Sequence, residues 1–302
     1  MMLRDLNGSL SDMDIKILIA LNKAYPVPDD PAYLPIYVGS YGRSLLDESN
    51  SGALDPSAPR DAADTLSSDA AAQKDVPVQP CAFDCTGDNI SEKNPSYCEL
   101  TALYWAWKNL DADYIGLVHY RRYFRGSSWC PELYCRILSS AELERHLSNV
   151  DLILPKKRKY RIETIDSHFR HTHEPEALDL TREIISERCP DYLRAFDDAL
   201  DRTKAHMFNM MIAKKDIVDA YCSWLFDILG ELEKRLDITG YSDFEARVFG
   251  RIGEMLLDVW VIHNGIPYRE VPFVFVEETN WPRKIKGFLM AKYFDRKYTG
   301  ST

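Results

Sequence analysis

The chain of 302 residues is too long for a disulfide-stapled mini-protein and suits one large α/β domain or two smaller ones. Its 45% hydrophobic, 12% aromatic and 28% charged residues supply an ordinary core and exclude disorder throughout. A formal net charge of −10, from 47 acidic and 37 basic side chains, argues against nucleic-acid binding, so any anionic ligand must meet a local basic site. Residues 1–13 read as an N-terminal extension whose start has neither a basic region nor an apolar run. No apolar stretch approaches the roughly 18 residues a membrane span needs, and a cytoplasmic location is expected. Seven cysteines (Cys81, Cys85, Cys98, Cys130, Cys135, Cys189 and Cys222) are odd in number and lie in apolar stretches, which suggests buried thiols in a reducing compartment. The Cys81-x3-Cys85 spacing is a weak zinc signal.

In chain order, Ile15 to Leu21 is a buried-strand run ended by the turn-prone Asn22 and Pro26. Residues 48–80 are dominated by Ala, Asp, Ser and Pro and read as a mobile insertion, because they offer little apolar surface to offset ordering. Asn94-Pro95 then opens a helix with Leu100, Leu103, Tyr104 and Trp107 on one face. Strands are predicted at Tyr114 to Val118, Asp151 to Leu154 and Met207 to Ala213. Helices are predicted at Ser140 to Leu147, Leu178 to Glu187, Tyr192 to Thr203, Lys215 to Leu236 and Asp243 to His263. Strands alternating with helices predict an α/β fold with a mainly parallel sheet.

Four constellations could carry chemistry. On the late helix, Arg247, Arg251, Glu254 and Asp258 form a thin charged stripe on an otherwise apolar surface. It is either a self-neutralising ladder or a cleft carboxylate serving as general base, Glu254 first and Asp258 second. After the strand Tyr114 to Val118, His119-Tyr120-Arg121-Arg122 places two guanidinium groups at a strand end, where they could grip a diphosphate without a metal. Lys156 to Arg161 carries five basic residues in six and reads as a solvated loop or a phosphate patch. His168, His171 and His173 do not share one helical face, so sugar or phosphate hydrogen bonding is preferred to metal ligation, with Asp166 and Glu174 as nearby carboxylate partners. No P-loop, Gly-x-Gly-x-x-Gly, Gly-x-Ser-x-Gly or paired Cys-x-x-Cys is present.

The stretch Thr86 to Pro95 running into Tyr97-Cys98-Glu99-Leu100-Thr101-Ala102-Leu103-Tyr104-Trp105 resembles the signature of a bacterial family of capsular and exopolysaccharide synthesis clusters. That family, long labelled a domain of unknown function, is grouped with GT-A-type glycosyltransferases. The resemblance continues through Ile115 to Phe124, Leu154 to Arg158, Ile162-Glu163-Thr164, His206 to Met211, Trp224 to Asp237, Arg247 to Trp260 and Asn280-Trp281. Two departures stand out: Met255 follows Glu254 where the family usually has Arg, and Ala20-Leu21-Asn22-Lys23 replaces the usual Thr-His-Lys.

The resemblance implies a single GT-A-like domain over 14–295, with 296–302 as a tail, moving a hexose from a UDP-sugar, possibly galactose in pyranose or furanose form. The acceptor implied is a growing capsular polysaccharide, exopolysaccharide or lipid-linked oligosaccharide. Asp88, Asn89, His119, Arg121, Arg122, Lys156 and Lys157 are expected at the donor diphosphate, and His168, His173, His206, Asn209 and Arg251 at the sugar or acceptor. GT-A enzymes commonly use an Asp-x-Asp metal motif at the end of a central strand. Asp111-x-Asp113 here precedes its strand, so no metal or other cofactor is expected, although a divalent ion stays open. Aromatic and basic residues interleave from Trp281 to Lys297, which suggests peripheral contact with an anionic membrane. Two rival classes remain: a non-catalytic sugar-nucleotide or polysaccharide-complex binding protein, and a metal hydrolase built on the histidines.

Overall fold

The computed structural model describes residues 13–50, 80–160 and 163–276. Most of the 48–80 insertion, Arg161 and the 281–297 segment lie outside the described residues. The elements in order are β1 (Ile15–Leu21), β2 (Tyr33–Tyr37), α1 (Gly39–Asn50), β3 (Ala82–Phe83), α2 (Asn94–Tyr97), α3 (Leu100–Asn109), β4 (Tyr114–His119) and β5 (Arg122–Phe124). They continue as α4 (Ser140–Leu147), β6 (Leu152–Pro155), β7 (Arg158–Lys159), α5 (Ile165–Thr172), α6 (Pro175–Arg188), α7 (Leu193–Leu200) and β8 (Lys204–Ala205). The last are β9 (Met211–Lys214), α8 (Lys215–Arg235), α9 (Val248–Asn264), β10 (Arg269–Val271) and β11 (Phe273–Phe275).

One sheet runs in the order β10-β6-β9-β4-β1-β2-β3, with β5 and β11 branching from the end of β4. Its strands are mainly parallel, and β9 is antiparallel to both β4 and β6. Period-2 alternation divides the side chains between two cores. Leu18, Ile115, Leu117, Leu152, Leu154 and Met211 face the helical layer containing α3, α8 and α9. Ile17, Ile19, Tyr114, Val118, Ile153 and Ile212 face the other side, with Leu143 and Leu147 of α4. The capping box of Ser139 with Glu142 fixes the start of α4. Gly265, at φ 59°, closes α9 in the left-handed region.

Several expectations need correction. The single helix expected from Asn94 is split into α2 and α3 at Cys98, whose φ of 54° and ψ of −134° interrupt it. The strand expected from Met207 begins at Met211, because Phe208 and Asn209 have positive φ and form a turn. The strand following β1 is β2, whose Pro35 obscures the β pattern. The cysteines are not uniformly buried: Cys222 is buried, whereas Cys81 and Cys135 are exposed.

Asp84, fully buried after β3, accepts bonds from the Gly39 amide (3.0 Å), the Ser91 hydroxyl (2.6 Å) and the Thr101 hydroxyl (2.7 Å). It thereby ties the starts of α1 and α3 to the sheet edge. At the sheet centre, Gly116 of β4 lies where a Cβ would sit 2.9 Å from Ile212 Cγ1, 3.1 Å from Ile17 Cγ1 and 3.1 Å from the Met211 carbonyl oxygen. The Gly116→Ala variant is expected to lose about 1–3 kcal/mol through this overpacking. Urea unfolding with an unchanged m value checks it, and an unshifted midpoint would refute the packing argument.

Candidate active site

The carboxyl ends of β1 and β4 lie side by side, with Ala20 opposite His119. His119 follows Ile115 and Leu117 onto the α9 side of the sheet. The chain then reverses through Tyr120 and Arg121, and Arg122 pairs back with His119. Burial, followed by the fields of Arg122, Arg121 and Arg247, lowers the His119 pKa to about 3 and keeps the ring neutral. Its Nδ1 accepts the Arg121 amide at 3.4 Å. The guanidinium of Arg121 lies 4.9 Å from the Tyr120 ring centre, and that of Arg122 lies 4.3 Å from Phe208 and 5.5 Å from Phe275. The Arg122 Nε is buried without a hydrogen-bond partner among the described residues. Its pKa is lowered by burial, against the opposing fields of Glu254 and Glu99.

Gly250, Glu254 and Asp258, spaced four apart on α9, face the turn 206–209. Asp258 accepts the His206 amide at 2.9 Å, and its other oxygen lies 2.5 Å from His206 Nδ1. The Phe208 amide lies near enough to Glu254 to favour its ionised form. The Gly250 carbonyl accepts from Asn209 Nδ2 at 3.0 Å, and that amide also donates to Glu99 at 3.0 Å. Burial, then the neighbouring Glu99 carboxylate, raises the Glu254 pKa to about 7. The Phe208 amide, Arg122 and Arg251 act in the opposite direction. Glu254 is therefore a half-protonated acid at neutral pH among cations, as an acid–base group requires.

The charged stripe does not form the self-neutralising ladder. Among the described residues, no ion pair within 4.0 Å joins Arg247 or Arg251 to Glu254. Arg247 Nε instead donates to Cys98 Sγ at 3.2 Å, and Arg251 donates to the Phe244 carbonyl. The field of Glu254 reaches both arginines.

Other expected site residues are placed differently. Asp258 and His206 are buried against one another, with Glu270 3.3 Å from His206 Nε2, so they anchor the turn instead of lining a cleft. Asn209 is 3% exposed and is likewise committed internally. The backbone amide of Asp88 bonds Asn109 at 3.0 Å, at the last residue of α3, whereas Glu99 precedes its first. The ten residues of α3 separate those ends by about 15 Å. Asn89 caps its own loop through Gly87 and Ser91. Neither residue is thus brought to the Glu254 cluster.

Lys156 is exposed, and Lys157 donates to the Tyr268 hydroxyl at 3.0 Å. The basic run continues as the small β7–β8 ribbon. Both His168 and His171 meet Glu163, at 2.8 and 3.3 Å, instead of Asp166 or Glu174. His173 turns away to pack on Phe169 and Phe244, and burial lowers its pKa to about 4, with Arg251 next in effect. Asp111 and Asp113 line a recess at the opposite edge of the sheet with Asp14, Lys214 and Asp219.

Glu99, beside Asn209 and Glu254, is a site residue to which the sequence pattern assigns no role. Its signal was only its place before a helix. Lys23, Tyr25 and Tyr120 add an aromatic shelf beyond β1: the two rings lie 4.8 Å apart, with Lys23 Nζ over both.

The α/β domain with a mainly parallel sheet is an architecture the chain shares with a glycosyltransferase of known structure. The chain is similar to the solved apo structure of the WbbM bifunctional glycosyltransferase, at 27% sequence identity and a TM-score of 0.69. The similarity covers 88% of this chain but 46% of that protein, so the chain corresponds to about half of it. Residues 65–265 match the family described as domain of unknown function DUF4422, and the chain belongs to that family. No curated protein matches the sequence.

The raised Glu254 pKa sets a pH dependence. Between the unfolded value of about 4.5 and the folded value of about 7, the native state holds the extra proton, so its contribution to stability falls as pH rises. Glu254→Gln removes that fall. The variant should match the wild type at pH 4 and exceed it by about 1–3 kcal/mol at pH 8. Urea midpoints across this range check the difference, and parallel profiles would contradict the assignment.

Proposed function

We propose that the protein is a glycosyltransferase that moves a hexose from a UDP-sugar to a growing bacterial polysaccharide or lipid-linked oligosaccharide. The observation that carries this reading is Glu254, held near neutrality beside Glu99 and facing the Arg121–Arg122 strand end. In an inverting transfer, the acceptor hydroxyl forms the new bond to the anomeric carbon and gives its proton to Glu254. The bond from that carbon to the diphosphate oxygen breaks, and UDP leaves with the electron pair. Arg121 and Arg122 then supply the positive charge that the departing diphosphate needs. Tyr25, backed by the buried Tyr120 and flanked by Lys23, is the proposed stacking surface for the nucleoside.

The proposal assigns diphosphate charge neutralisation to the two arginines that follow β4. Glu254→Gln should lower turnover by roughly a hundredfold or more with little change in UDP affinity. Arg121→Lys or Arg122→Lys should weaken UDP, because a point charge does not replace a planar fork. Calorimetric titration of UDP with chelator present, paired with initial rates, tests both points. Loss of UDP binding in chelator, restored by manganese, would overturn the arginine assignment, and near-normal turnover of Glu254→Gln would remove the base.

A lipid-linked acceptor would bring the protein to an anionic membrane surface. No helix of the described residues is long and apolar enough to cross a membrane. The segment from Trp281 to Lys297, proposed for surface contact, lies outside the described residues. Flotation with anionic liposomes should show salt-sensitive binding that weakens when Lys284, Lys286 and Lys292 become Gln; protein remaining at the bottom of a low-salt gradient rules the contact out.

A further inference from the structure

The loop between β5 and α4 is unrelated to the transfer chemistry, yet it gathers two thiols and a carboxylate. Cys130, half-buried, and Cys135 and Glu132, both exposed, bring their ligand atoms within 4.8 Å of one another. The Cys135 thiol donates to Glu132 Oε2 at 3.7 Å. A tetrahedral zinc ion, with bonds of about 2.3 Å to sulfur and about 2.0 Å to oxygen, spaces two sulfurs about 3.8 Å apart and a sulfur and an oxygen about 3.5 Å apart. The three groups thus need to close by no more than about 1.3 Å to share an ion.

The backbone carrying them is already fixed. Arg136 Nε donates to the Cys130 carbonyl at 2.7 Å, and another of its nitrogens donates to the Pro131 carbonyl at 3.2 Å. Cys135 lies in a short 3-10 turn, Tyr134–Arg136, and the Arg136 amide bonds the Leu133 carbonyl at 3.1 Å. Gly126 and Ser127 hold the entry to the loop through the Arg136 carbonyl and Glu142. Pre-arranged ligands lower the ordering cost of binding.

We propose that Cys130, Glu132 and Cys135 form a soft-metal site that takes zinc, with a fourth position open to solvent. Two thiolates favour zinc over magnesium or calcium. The site would brace the loop whose Tyr134 hydroxyl donates to the Pro26 carbonyl at 3.0 Å, beyond the end of β1. Ion binding replaces the two thiol protons by bonds to the metal and releases those protons to solvent.

The test uses the full chain, stripped with chelator, kept reduced and titrated with cobalt(II). About one equivalent should give a thiolate-to-cobalt charge-transfer band that zinc abolishes and millimolar magnesium or calcium leaves unchanged. The Cys130→Ser/Cys135→Ser double variant should lose the band while its metal-free thermal unfolding matches the wild type. Glu132→Gln should weaken cobalt by at least about tenfold, the lower end of what losing even an outer partner costs. The proposal fails if no thiolate band appears, if the band persists in the double variant, or if thiol counting shows these cysteines joined as a disulfide despite reductant.

Discussion

The grip of α9 on the turn 206–209 is the constraint on which the strand-end site depends. Phe208 and Asn209 hold positive φ without being glycine, which costs about 1–3 kcal/mol each and persists only where surrounding contacts over-determine it. Successive turns of α9 provide those contacts: the Gly250 carbonyl and the Asp258 carboxylate accept hydrogen bonds from Asn209 and His206, and the Glu254 carboxylate between them lies close enough to feel the Phe208 amide. The turn in return presents the Phe208 ring to Arg122 and the Asn209 amide to Glu99. One helix face therefore sets both the acid and the posture of the cation opposite it. Removing one member of the buried Asp258–His206 pair would leave its partner uncompensated, so the grip resists piecemeal change.

The regular elements were legible where local and tertiary preferences agree. The β1 run is apolar on both faces, α4 has its capping box, and α8 carries one stripe whose Tyr221, Leu225, Ile228 and Leu232 are buried. What escaped the sequence was backbone geometry without a residue-type signature. Cys98 and Phe208 occupy positive φ as residues that rarely do so, and each cut an expected element. The two-residue β3 has no periodicity to detect, and its place is set by Asp84, which anchors the Gly39 amide and the Ser91 and Thr101 hydroxyls.

The site was half legible for a related reason. Helical spacing isolates Arg247, Arg251, Glu254 and Asp258 as a group, but spacing cannot tell a carboxylate facing a cleft from one committed to a residue 52 positions away. Asp258 and Glu254 differ by one turn and diverge completely in environment. Glu99 was hidden because it acts through neighbours from α9 and the turn 206–209, not through anything beside it in sequence. Asp88 and Asn89 show the converse: a dense local motif whose hydrogen bonds stabilise the far end of α3.

The position of β4 has consequences for how the molecule is made. Its Tyr114 pairs with Ile15 on one side and Lys214 on the other, each about a hundred residues distant. During synthesis at about 5–20 residues per second, β1 waits roughly 5–20 s for its central neighbour. In that interval its run of seven residues, with Lys16 as the sole charge, is an aggregation hazard. Strand β9, supplied from still later in the chain, then takes its place between β4 and β6, before β10 pairs with β6 and β11 with β5. The same placement that puts β4 at the heart of the finished sheet leaves one edge of β1 unpaired until β4 has been made.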